Sequence, residues 1–196
     1  MKQSLRAIII GLAISTFMTA CAAEPTDVDA LVEEPRTIQV PDWARANIAY
    51  STAGTGRWVA DNAAYKSGTE TWDSYVIEWR AGPDNLSMTA RMYAMIDGRP
   101  SQGDFWSFYQ YWDTAKGEMR IIQSGWGVVG DGAMTAGDAP NTFITEQTFT
   151  TTEGKANPVR HTMAELSPTQ HETTSFNRGD DDDWVQDRRY IWTLES

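Results

Sequence analysis

The chain has a single cysteine, Cys21, and only two histidines, His161 and His171, among its 196 residues. One thiol builds neither a disulfide framework nor a cysteine-based metal site, and two imidazoles allow at most a sparse metal or acid–base constellation. Basic residues are scarce as well. Sixteen Lys and Arg stand against 27 Asp and Glu, for a net charge of −11. That balance excludes the clustered cationic surfaces that hold nucleic acid or an anionic membrane, so no nucleic-acid partner is expected; it chiefly favours solubility. Beyond the first twenty residues there is no long apolar run. No long helical periodicity separates the later segments either, which argues against βαβ units.

What is present begins with an address. Lys2 and Arg6 flank the apolar run Ala7–Ile14, which fades through Phe17 and Met18 and stops at Thr19-Ala20-Cys21. A basic start, a short apolar segment and small residues at the break describe a secretory signal peptide over residues 1–20, and the segment is too short for a spanning helix. Met18-Thr19-Ala20-Cys21 resembles a bacterial lipobox, which makes Cys21 the acylated first residue of the mature chain. Ala22 is not the Asp that retains lipoproteins in the inner membrane. The expectation is therefore a cell-envelope lipoprotein of the outer membrane, facing the periplasm or the surface and held by acyl chains on Cys21. Residues 21–40 are acidic, Pro-flanked and poor in anything to bury, and read as a tether. Residues 41–53 read as a short helix, with Pro41 suited to its first turn and Trp43, Ala46 and Tyr50 near one face.

From Gly56 onward the pattern is period two, with turn residues every ten to fifteen positions. Segments 57–65, 71–80, 86–96, 105–112, 119–124, 142–152, 158–166, 170–176 and 184–194 all suit strands. Leu86 to Ile96 alternates most cleanly, and Tyr75, Ile77 and Trp79 share a face. Gly125–Gly132 is a glycine-rich connection. The predicted fold is all-β: a single antiparallel up-and-down barrel of eight to ten strands over residues 54–196, which removes exposed edges by closing on itself. Phe105–Trp112 is six-eighths aromatic. As a strand it carries Phe105, Tyr109 and Tyr111 on one face and Trp106, Phe108 and Trp112 on the other, so both faces need a cover. The 43–50 helix is the candidate to cover its outer face.

Gly56-Arg57-Trp58 opening the first strand is similar to the signature of the lipocalin-like (calycin) barrels. Tyr111-Trp112-Asp113 before a turn, the Gly125–Gly132 connection and Arg188-Arg189-Tyr190 near the end more loosely resemble the uncharacterised bacterial barrels of the DUF1579 type. The resemblance covers about residues 54–194. It implies the barrel, the binding of a small apolar or amphipathic molecule, and an Arg from the last strand over the Trp58 indole. Arg188, on the face of Trp184, Tyr190, Trp192 and Leu194, is the better candidate for that contact.

Gly125-Trp126-Gly127-Val128-Val129-Gly130 matches a dinucleotide fingerprint, but Asp131–Pro140 will not form the helix that must follow, so a turn-and-bulge role is expected. Asp180–Asp183 lacks the alternate spacing of a calcium loop and reads as a solvated hairpin tip. A two-residue Ser167-Pro168 loop would set His161 and His171 on opposite faces of their strands, whereas a three-residue loop centred on Leu166 would set them together. Glu78 is expected outward and Asp113 at a turn. No metal or cofactor is called for. The expected function is binding or carriage of a small hydrophobic or aromatic molecule, with Trp79, Met92, Trp106, Tyr109 and Tyr111 as pocket walls and His161 and Arg188 as polar anchors. The competing classes are an isomerase, cyclase or hydrolase using His161 as base, and a structural envelope protein with a filled core.

Overall fold

The computed structural model describes residues 39–101 and 103–196. The signal peptide, Cys21 and nearly all of the tether lie outside the described residues. Helix α1 (Asp42–Ser51) precedes strands β1 (Arg57–Asp61), β2 (Ser74–Ala81), β3 (Ser87–Ile96), the two-residue β4 (Arg99–Pro100), β5 (Trp106–Asp113), β6 (Glu118–Gly125), β7 (Val128–Ala136), β8 (Thr142–Thr151), β9 (Ala156–Ser167), β10 (Gln170–Arg178) and β11 (Trp184–Leu194). Apart from β4, each strand pairs antiparallel with its neighbour in sequence, β3 pairs with β5, and β1 pairs with β11. The result is a closed antiparallel up-and-down barrel of ten strands, with β4 attached beside the end of β3. This is the expected fold class, and it is compatible with a lipocalin-like barrel.

Two strands lie outside the predicted segments, the two-residue β4 and β7. The expected glycine-rich connection, Gly125–Gly132, overlaps strand β7 (Val128–Ala136), because Gly130 and Gly132 sit at inward positions of a strand that otherwise alternates. Gly130 gives up its side-chain volume to the Phe149 ring, which lies 2.6 Å from where a Cβ would stand. The turn between β6 and β7 is only Trp126-Gly127, both with positive φ (48° and 76°), since Gly125 already pairs with Val128. That is the geometry of a tight hairpin, in which a bulky residue at the first position is strained.

Helix α1 does not cover the outside of the aromatic strand. It buries Ala44, Asn47, Ile48 and Ser51, a stripe at i, i+3, i+4 and i+7, against Met88, Trp112, Met119, Met134 and Phe143. Those five are inward residues that converge at one end of the barrel, so the helix lies across that end. Two polar residues occupy the buried stripe; of the expected apolar face, Trp43 and Tyr50 flank it, packed on Phe143 and Trp58, while Ala46 is exposed. Each of the two polar residues has a partner: Gln110 Nε2 donates to Asn47 Oδ1 (2.8 Å), and the Trp58 indole donates to the Ser51 carbonyl (2.8 Å).

Trp58 is fully buried, stacked on Tyr50 (5.1 Å) and met edge-on by His171 (4.5 Å). Arg188 does not lie over it, contrary to the expectation. Trp58 pairs with Leu194, so Arg188 stands six residues along β11, roughly 20 Å away at about 3.3 Å per residue. Its guanidinium lies over Tyr65 instead (5.1 Å).

Candidate functional site

A cavity of about 680 Å³ fills the barrel interior between α1 and the Trp126-Gly127 hairpin. Strand β6 gives the direction: it starts near the helix with the buried Met119 and ends at the hairpin with Gly125. Trp126 is 64% exposed yet borders the cavity, so the hairpin marks the mouth. There its ring packs with Phe105 (5.5 Å), Trp72 (6.4 Å) and Trp106 (6.5 Å).

Two different walls face each other. Strands β2, β3, β5 and β6 supply Tyr75, Ile77, Trp79, Met88, Met92, Trp106, Phe108 and Ile121. Strands β8 to β11 supply a mixed wall, in which Thr145, Gln147, His161, His171, Thr173, Ser175 and Arg188 stand beside Phe149, Val159, Met163, Tyr190 and Trp192. On the second wall the register sets Thr145 opposite His161, His161 opposite Ser175, and Ser175 opposite Arg188, a polar row across four strands.

Of the residues expected to form the site, Trp79, Met92, Trp106, His161 and Arg188 border the cavity. Tyr109 and Tyr111 do not, and this corrects the sequence reading. Strand β3 turns Met88 and Met92 inward, and β5 pairs Gln110 with Met88, Phe108 with Ala90 and Trp106 with Met92. Directly opposed residues share a face, so Tyr109 and Tyr111 are driven outside. There they stack on each other (4.9 Å). Phe105 reaches the cavity as well because it precedes the strand and escapes its alternation.

Both histidines face inward, against the expectation drawn from a two-residue turn. The loop is indeed two residues, Pro168-Thr169, but Ser167 pairs with Gln170 while Glu165 pairs with His171. Leu166 is thus a bulge that resets the alternation. A second bulge, at Asp187, turns Trp184 outward, where its ring lies between Arg160 (4.5 Å) and Arg178 (4.3 Å).

Electrostatically the site is nearly sealed. Arg188 donates to both oxygens of Glu70, at 2.7 Å each, and to the Tyr190 hydroxyl (3.0 Å). Glu70 Oε1 also accepts from the Tyr75 hydroxyl (2.6 Å) and from Asn62 Nδ2 (3.1 Å). The Arg188 hydrogen bonds hold the Glu70 carboxyl down at about 2, and the same pairing raises Arg188. Burial, helped by the bond to Glu70, pushes the Tyr75 phenol up. Burial also holds His161 at about 4 and His171 at about 3, so both imidazoles are neutral at pH 7. His161 lies against the cavity, with its Nε2 fully enclosed.

Gln147 Nε2, His161 Nε2 and His171 Nδ1 are buried with no hydrogen-bond partner among the described residues. An imidazole with so low a pKa is a weak base, and neither histidine is joined to a carboxylate by a hydrogen bond that would orient it among the described residues.

Sequence reasoning missed Glu70, Phe105, Trp126, Gln147 and His171. For Gln147 a signal existed: the alternation of Phe143, Thr145 and Phe149 places it on the same face. Glu70 lies in the loop before β2, where no periodicity applies. No protein family's sequence model matches the chain, and no curated protein is similar to it in sequence.

Proposed function

We propose that the chain is an exported lipoprotein, anchored through Cys21, that binds or carries a small hydrophobic or aromatic molecule inside its barrel. The observation that carries this reading is the cavity of about 680 Å³, apolar along one wall and edged by aromatic rings at its mouth. That volume falls within the roughly 300–1,000 Å³ of small-molecule sites, which are mostly apolar with a few placed polar groups. A barrel filled by its own side chains would leave no such space. A ligand buried against Trp79, Met92, Trp106 and Phe108 would gain about 25 cal/mol per Å² of apolar area removed from water.

Native mass spectrometry of the mature protein tests the reading. An organic mass that copurifies and is released on denaturation supports it. A bare polypeptide mass, together with failure to bind any apolar dye, overturns it. The anchor has a separate test: Cys21→Ser should abolish acylation and release the protein from membranes. Continued membrane association of that variant counts against the lipobox.

A further inference from the structure

We propose that the polar part of the cavity's mixed wall is a subsite for an uncharged oxygen function, a carbonyl or a hydroxyl, held by the Gln147 carboxamide and the His161 imidazole. The inference rests on the reading of the cavity as a ligand site and adds the chemistry of the ligand's polar end. Gln147 is 3% exposed, and its Nε2 has no partner among the described residues. The same holds for the enclosed His161 Nε2. Buried polar groups in folded proteins are rarely left unpaired, because each orphan costs roughly 1–3 kcal/mol.

The two orphans are neighbours. Thr145 pairs with His161 and Gln147 with Val159, so Gln147 and His161 are diagonal partners across β8 and β9 on the inward face. Such diagonals stand roughly 7–8 Å apart or less, and both side chains border the cavity. Both nitrogens are enclosed, so a ligand oxygen reaches them when the carboxamide and the imidazole turn about their terminal torsions; a carbonyl oxygen then accepts from the Gln147 amide and from His161 if its Nε2 carries the proton. A hydroxyl accepts from Gln147 and donates to His161 in the other tautomer.

Charge selects against the ionised alternatives. The charged residues bordering the cavity are Glu70, Asp187 and Arg188. Arg188 is committed to Glu70 through a bidentate pair, and Asp187 is exposed to solvent. A carboxylate reaching Gln147 would lose its hydration and meet no free cation. An ammonium would find only the Asp187 carboxylate, which acts on His161 through space but is itself exposed to solvent. The opposite wall of Trp79, Met92 and Phe108 receives the apolar body.

The test uses three matched dyes on the delipidated mature protein: dimethylaminonaphthalene bearing a propionyl group, a carboxylate, or hydrogen at the same position. Fluorescence titration should show the ketone binding roughly threefold to tenfold tighter than the unsubstituted dye, the worth of one neutral hydrogen bond. The carboxylate should bind weakest. Gln147→Met should erase the ketone's advantage over the unsubstituted dye and melt no lower than the natural protein, because it removes an unpaired donor. His161→Phe provides the second variant and should likewise reduce the advantage. Equal affinities for ketone and unsubstituted dye, or an advantage that survives in both variants, overturns the subsite while the cavity reading stands. Failure of all three dyes to bind overturns both.

Discussion

Acidification from pH 7 to pH 5 should weaken the barrel by about 4 kcal/mol, through His161 and His171. Burial holds these imidazoles at about 4 and about 3 in the folded protein, against an ordinary value near 6.5. Their folded values are depressed, so the stabilisation they reflect is complete above the unfolded value and is lost as pH falls below it. At pH 5 both imidazoles of the unfolded chain are almost fully protonated, while both in the barrel remain almost wholly neutral. The linkage relation then gives about 2 kcal/mol for each histidine. Glu70, held at about 2 by Arg188, begins to lose its contribution only below its ordinary value of 4.5. Glu165, which pairs across from His171, is shifted up by burial and offsets a little of the loss. A total of about 4 kcal/mol is a large share of the 5–15 kcal/mol that holds a typical domain together. Urea unfolding followed by tryptophan fluorescence at the two pH values measures it. His171→Leu should remove about half of the pH dependence. A drop below about 1 kcal/mol, or one that persists with both histidines replaced, refutes the reasoning.

Three further outcomes follow from other parts of the structure. Gly56→Ala should cost more than about 2 kcal/mol, since its Cβ would sit 2.2 Å from the Trp79 carbonyl oxygen at a φ of +65°; chemical denaturation reads this directly. Arg188→Met or Glu70→Gln alone should each cost about 2 kcal/mol, between the values for exposed and buried pairs, while the double replacement costs less than their sum. A double-mutant cycle in urea measures that coupling. Tyr109→Ser should leave dye binding unchanged, whereas Trp106→Ala should weaken it by about 1–2 kcal/mol, as loss of one aromatic wall implies.

Strand alternation carried most of the architecture into view. Tyr75, Ile77 and Trp79 share the inward face as their spacing implied, and β11 runs over the residues expected of it. Alternation gave way wherever the chain departs from strict period two. The bulges at Leu166 and Asp187 each add one residue, and one residue reverses every side chain beyond it; no local sequence signal marked either. Strand β5 posed a different problem. With aromatics on both faces it carries no inward label of its own, and its parity is imposed by β3 across the ladder. Helix α1 hid its buried stripe because Asn47 and Ser51 occupy it, and their partners, Gln110 and Trp58, come from distant strands. Glycines 130 and 132 looked like punctuation but serve as small inward residues within β7. Local pattern conveyed the strands; the site depended on long-range pairing that a single sequence does not display.

The seam between β1 and β11 has a consequence in time. Because the last long strand bridges the first strand and β10, the ring has no complete form until residues 184–194 are available. A chain emerging from its N-terminus can zip hairpin after hairpin from β2 through β10 and still remain an open ribbon with two bare edges. The closing contact joins residues more than 130 positions apart, Trp58 to Leu194, and contacts of such long range slow folding. The cavity is therefore the last feature of the molecule to come into existence. A chain cut before Trp184 would lose the vessel itself while keeping nearly every residue that lines it.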